Sequence, residues 1–119
     1  MLPVHLDLTN QQVLIAGGGN IAARRAEALC IEPCHITIVS PDISKEMARL
    51  IDTYNLNWKE KKVDAEDLED AFLSLSAATN DPAVNEWIAQ TARPHQLVNC
   101  VSQSELGNVI VPRWSKQGK

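Results

Sequence analysis

The sequence has no apolar run approaching the roughly 20 residues that a membrane-spanning helix needs, and its N-terminus has no basic-then-apolar leader pattern. Neither a membrane partner nor a signal peptide is expected. Positive charge is not in excess either: the formal net charge is -4, which offers no electrostatic reason to bind nucleic acid or an anionic membrane. The three cysteines, Cys30, Cys34 and Cys100, are an odd number and form no disulfide framework, which fits a reducing cytoplasm. Cys30, Cys34 and His35 have no second pair at metal-ligand spacing and stand among apolar neighbours. They read as structural thiols, and no metal is expected.

What remains is ordinary for a globular chain: 119 residues, 45% of them hydrophobic and 22% charged. That is one domain, residues 1–119, with enough material for a core that needs no disulfide or metal. No internal repeat, low-complexity tract or linker interrupts it.

Strand and helix signals alternate. Gln12–Ala16 is a short apolar strand, and Asn20–Cys30 has Ile21, Ala22, Ala26 and Leu29 near the helical period. Pro33 ends that helix, and the β-branched His35–Val39 is the second strand. Ser44 caps a helix that runs to Tyr54 with Met47, Leu50 and Ile51 on its apolar side. Leu56–Val63 reads as a strand near a sheet edge, Ala65–Asp70 as a short acidic helix and Ala71–Ala78 as a buried strand. A helix from Asp81-Pro82 to about Thr91 follows, then strands at Gln96–Val101 and Asn108–Val111. Trp58 and Trp87 read as core residues. Strand–helix alternation with a period of about thirty residues calls for a parallel α/β sheet, doubly wound and covered on both faces.

The stretch "VLIAGGGNIAAR" lies between the first strand and the first helix. Three adjacent glycines are costly in either element. In Gly17-x-Gly19-x-x-Ala22 the small residues serve separate ends. Gly17 turns the chain sharply, Gly19 lets a pyrophosphate approach the main chain, and Ala22 lets helix and strand pack closely. The helix start then faces the anion with free N–H groups and the positive end of its dipole. A dinucleotide is the expected ligand, with Gly17, Gly18 and Gly19 against it.

The second strand ends in Ser40-Pro41-Asp42, where a ribose contact is due; the same residues suit a plain helix lead-in. No arginine stands beside them to take a 2′-phosphate, so NAD is favoured over NADP. Ala78 and Thr79, at the end of the fourth strand, are expected against the middle of the cofactor. Asn80 suits a ligand contact and a helix entry equally. The fifth strand ends at Asn99-Cys100-Val101-Ser102, near the place of a nicotinamide.

Taken together, "MLPVHLDLTNQQVLIAGGGNIAARRAEAL", "ITIVSP", "SLSAATNDPAVNEWIAQTA" and "QLVNCVSQSELGNVIVP" resemble the N-terminal domain of the precorrin-2 dehydrogenase and siroheme synthase family over essentially the whole chain. The resemblance implies a Rossmann-like NAD(P)-binding domain with an added strand at "LPVHLDL". It implies oxidation of precorrin-2 to sirohydrochlorin with NAD⁺ as hydride acceptor, on the route to siroheme, and a homodimer. It also places Asn20, Ile21, Pro41 and Asp42 at the cofactor.

Two departures stand out. Many members carry an aspartate after the fifth strand where this sequence has Ser102 and Gln103, neither of which is a carboxylate. Glu105 is the nearest acid, and His95 falls at the opposite end of its strand, so no catalytic residue is assigned. The family's dimerisation and helical regions are also absent from these 119 residues. The alternative to an enzyme is an NAD- or NADH-sensing module without chemistry.

Overall fold

A computed structural model describes residues 2–77 and 82–111. Five strands form one parallel sheet: β1 (Gln12–Ala16), β2 (His35–Val39), β3 (Asn57–Lys59), β4 (Leu73–Ser76) and β5 (Leu97–Cys100), in the order β3-β2-β1-β4-β5. The helices are α1 (Asn20–Leu29), α2 (Lys45–Tyr54), α3 (Ala65–Glu69) and α4 (Pro82–Thr91), followed by a single 3₁₀ turn at Ser104–Leu106. The first three strands proceed outward from β1, and the chain then crosses to its other side for β4. The order therefore reverses between β1 and β4.

Alternation along the strands divides the core in two. Val13, Ile15, Ile36, Ile38, Leu73 and Leu75 pack with Ala22, Ala26 and Leu29 of α1 and Met47 and Leu50 of α2. On the other face Leu14, Ala16, Val98 and Cys100 pack with Leu68 of α3 and Ile88 of α4. A parallel sheet has to be covered on both faces, because its crossovers place helices there and its strands are apolar on both sides. The expected doubly wound α/β architecture is what the chain adopts.

β1 and β2 have the expected bounds, and Ser44 is the N-cap of α2, its Oγ accepting the Met47 N–H at 3.1 Å. Cys30 closes α1 from the C-cap position. Elsewhere the expected strands are too long. Leu56–Val63 contracts to β3, because the Lys61 N–H donates to the Lys59 carbonyl at 2.9 Å and turns the chain into the Asp64 cap of α3. Within the described part of Ala71–Ala78 the strand is β4, Ala78 lying outside the described residues, and Gln96–Val101 contracts to β5.

Asn108–Val111 is not a strand. The Asn108 side chain accepts the Val98 N–H at 2.7 Å and donates to the Gln96 carbonyl at 2.8 Å, taking over bonds that a strand backbone would have made. The "LPVHLDL" segment is not a strand either. Asp7 Oδ1 accepts from Thr9 N and Oγ1 at 3.0 and 2.6 Å, Asn10 sits at φ 62°, and no described strand lies beside it.

Gln96 has a role that strand reading hides. It is 5% exposed, and its Nε2 donates to Leu68 O at 2.6 Å and Ala71 O at 2.9 Å while Oε1 accepts the Arg93 N–H at 2.9 Å. One amide thus satisfies the end of α3 and the approach to β4. Gln96→Leu should cost about 2 kcal/mol, since buried carbonyls lose their donor. Urea denaturation of the two proteins measures the difference.

Among the described residues no group of acidic, histidine and cysteine side chains could hold a metal, and no helix is long and apolar enough to cross a membrane. Cys30 and Cys34 are half-buried and Cys100 is buried. Burial, aided by neighbouring Cys34, pushes the Cys30 thiol up to about 11, so it stays protonated and poorly nucleophilic.

Candidate functional site

The strands are parallel, so their carboxyl ends share one rim. Gly17, Ser40, Ala77 and Val101 follow directly on β1, β2, β4 and β5. The pairing of Ala16 with both Val39 and Ser76 puts the glycine turn at the centre, beside the point where the strand order reverses. In open α/β sheets that crevice is where ligands bind.

Gly17 has φ 135°, a conformation that side chains rarely adopt, and its N–H continues the ladder to Val39 O at 3.1 Å. Gly18 is buried and its carbonyl accepts the Ser44 N–H at 2.7 Å. A Cβ placed on Gly18 would lie 2.2 Å from Asp42 O and 2.9 Å from Ser40 Oγ. Gly18 is therefore bare because the loop after β2 packs against it.

Gly19 is different. A Cβ there would meet nothing within 4 Å, so the missing side chain leaves an open cradle in front of the helix. Gly19 is also the N-cap of α1 and supplies no side-chain bond, and the first turn holds no acid. Among the described residues no side-chain oxygen caps the N–H groups at the start of α1, a setting that suits an anion. Asn20 and Ile21 are exposed at the first two helical positions, while Ala22 is fully buried against the sheet.

The loop after β2 forms the adjoining wall. Ser40 is 8% exposed, its hydroxyl donates to Asp42 O at 2.6 Å, and its carbonyl accepts the Trp58 indole N–H at 3.0 Å. The Asp42 carbonyl borders it on the side facing Gly18, and Pro41 is exposed between Ser40 and Asp42. The structure thus brings Gly17, Gly18, Gly19, Asn20, Ile21, Ser40, Pro41 and Asp42 to one region. Ala78 and Thr79, like Asn80 and Asp81, lie outside the described residues.

On the other side of the turn, Asn85 of α4 is 2% exposed. Its Oδ1 accepts the hydroxyl of the fully buried Ser76, and its Nδ2 donates to Gln103 Oε1 at 3.2 Å and Ser102 Oγ at 3.4 Å. Helical periodicity picks out Val84, Trp87, Ile88 and Ala92, and a polar residue in that helix gives no sign of burial. Trp58 and Trp87 are partly buried and pack against the two cores, as expected. Glu105 is exposed in the 3₁₀ turn, and His95 is exposed ahead of β5, at the amino edge of the sheet.

A concavity of about 140 Å³ lies elsewhere, lined by Gln12, Thr37, Lys59, Asp67 and Ala71 among others. It sits between the sheet and α3, away from the glycine turn, and includes none of the expected site residues.

Residues 4–113 match a family model described as "Putative NAD(P)-binding". The chain is similar to the precorrin-2 dehydrogenase of Bacillus subtilis (strain 168), with 46% identity over 118 residues, covering 99% of this chain and 72% of that protein. It is 40% identical to the precorrin-2 dehydrogenase of Priestia megaterium over 119 residues, covering 100% of this chain and 58% of that protein. Among solved structures, SirC, a precorrin-2 dehydrogenase, superposes with a TM-score of 0.83 at 40% identity, covering 95% of this chain and 55% of that one. The chain thus spans little more than half the length of two of these three relatives.

Proposed function

The chain belongs to the precorrin-2 dehydrogenase family of NAD(P)-binding proteins, and from that premise we propose that it is the NAD-binding part, or the whole, of an enzyme that oxidises precorrin-2 to sirohydrochlorin on the route to siroheme. The observation that carries this reading is the open cradle at Gly19, in front of an uncapped helix and beside the reversal of strand order.

In this reading the diphosphate of NAD⁺ rests on the main chain of Gly17, Gly18 and Gly19 and the start of α1, with Asn20 and Ile21 beside it. Pro41 and Asp42 border the adenosine ribose, and Ser40 shapes that border from inside through its bond to Asp42 O. The Asp42 carboxylate suits ribose hydroxyls and repels a 2′-phosphate, which supports NAD over NADP. Ala78 and Thr79 are assigned to the middle of the cofactor. The cofactor, when bound, supplies the hydride acceptor. This chain's residues orient it and hold the rim over β4 and β5, where the substrate must meet it.

A second reading is a module that senses NAD or NADH without chemistry. It is favoured by Ser102 and Gln103, which put an alcohol and an amide, not a carboxylate, at the first two positions after Val101. We assign either form to the cytoplasm. A homodimer is also assigned: β3, one of the two edge strands, is short and has Lys59 exposed, a poor template for pairing, whereas the exposed Leu2, Val4 and Leu6 provide apolar surface to cover.

The test is anaerobic mixing of the protein with precorrin-2 and NAD⁺, followed by NADH absorbance. NADH formation proportional to protein concentration is expected of the enzyme. Saturable NAD⁺ binding with no NADH formed is the result for the NAD-binding part alone and for the sensing module, and a longer chain from the same reading frame, which forms NADH only in the first case, separates the two.

A further inference from the structure

The cofactor contacts proposed above leave the polar cluster beneath β4 and β5 unused. Its centre is the Asn85 amide, whose hydrogen-bonding capacity is consumed inside the protein. Oδ1 takes the Ser76 hydroxyl, and the two Nδ2 hydrogens go to Ser102 Oγ and Gln103 Oε1. The Cys100 thiol adds a contact to the Asn85 main-chain carbonyl at 3.8 Å, fastening the helix to the end of β5.

The consequence falls on the loop. Ser102 and Gln103 both act as acceptors toward Asn85, so the Ser102 hydroxyl hydrogen and the Gln103 Nε2 hydrogens are left for something else. Among the described residues no partner takes them. Ser102 is exposed and Gln103 half-exposed. The loop follows Cys100, which pairs with Ser76, and Ser76 pairs with Ala16 at the entry to the glycine turn. The donors therefore stand on the same rim as the cradle, two strands away.

We propose that Asn85 is a positioning residue that turns the loop after β5 into a pair of outward hydrogen-bond donors, and that these donors hold an oxygen of the bound reactants. That oxygen is either the carboxamide oxygen of the nicotinamide or a carboxylate oxygen of the second substrate. The inference rests on the dinucleotide reading of the glycine turn and deepens it by assigning the far end of the site.

Asn85→Asp tests it with almost no change in shape. A carboxylate has no hydrogen to give, so the Ser102 hydroxyl and the Gln103 amide turn inward to donate to it, and the rim loses its donors. Binding of NAD⁺ and of ADP-ribose, which lacks the nicotinamide, is measured by calorimetry on the unsubstituted and variant chains. If the oxygen is the carboxamide's, NAD⁺ affinity falls about tenfold and ADP-ribose affinity does not change. If it is the substrate's, both affinities stay and the KM for precorrin-2 rises about tenfold with kcat preserved.

Equal weakening of NAD⁺ and ADP-ribose, or no change in either affinity or in KM, overturns the proposal. Should Asn85→Asp fail to fold, Gln103→Glu gives the same decision. Its carboxylate still accepts from Asn85 but presents an acceptor outward, and the same two patterns of loss are expected. Gln103→Glu with every constant unchanged overturns the proposal. Absence of NAD⁺ binding by the unsubstituted chain is a separate outcome that overturns the dinucleotide reading itself, and this inference with it.

Discussion

Gly19→Val should abolish measurable NAD⁺ binding while leaving the fold intact. The first Cβ at this position enters open space, with no atom within 4 Å, and the backbone sits at φ -83°, which valine tolerates. No atom opposes that Cβ, and replacing the glycine N-cap of α1 costs at most about 1 kcal/mol. The open space is where the diphosphate is assigned, so a branched side chain there excludes the ligand and covers the amides at the start of α1. A loss of at least about 100-fold in affinity is expected, equivalent to roughly 2.7 kcal/mol, with the melting temperature lowered by no more than about 5 °C. Calorimetric titration together with a thermal melt separates the two effects.

Gly18→Ala, one residue earlier, should do the reverse. Its Cβ would fall 2.2 Å from the main-chain oxygen of Asp42, which cannot move without dragging the loop that Ser44 and Trp58 hold in place. Overpacking of this kind costs about 1–3 kcal/mol. A fall in melting temperature of roughly 5–15 °C is expected for a domain of this size. NAD⁺ affinity should fall only as far as the displaced Ser40–Ile43 loop touches the cofactor. The adjacent glycines thus separate: one makes room for the protein's own loop, the other for the ligand.

That separation marks the limit of what the sequence alone conveys. β1 and β2 are legible to the residue because each is a short apolar or β-branched run bounded by residues that stop strands. The glycine turn is legible because its spacing and its place between strand and helix encode a local geometry. The spacing assigns Gly19 to the pyrophosphate but gives Gly18, the intervening position, no reason of its own to be bare. What distinguishes them is the Asp42 carbonyl, which reaches Gly18 only after β2 has paired with β1.

Asn85, Gln96 and Asn108 escape a sequence reading for a related reason. Each side-chain amide binds groups far away in sequence, such as Ser102 from Asn85 and Leu68 from Gln96. A periodicity argument counts such residues as exposed or as ordinary strand members. The bounds of β3 and β5 differ from expectation where side chains or tight turns replace the ladder, as at Lys61 and Asn108. Even so, the expected cofactor residues that are described all fall on the same rim, because parallel strands bring their carboxyl ends to one side whatever their exact lengths.

Every assignment made for the rim requires NAD⁺ to rest against the main chain at the end of β1. An amide-resolved NMR titration of the chain with NAD⁺ tests this most directly. The largest shifts are expected at Gly18, Gly19, Asn20 and Ile21, with a second group at Asp42 and Ile43. Shifts centred on Lys59, Asp67 and Ala71, around the cleft beside α3, or no saturable shift at all, would contradict it.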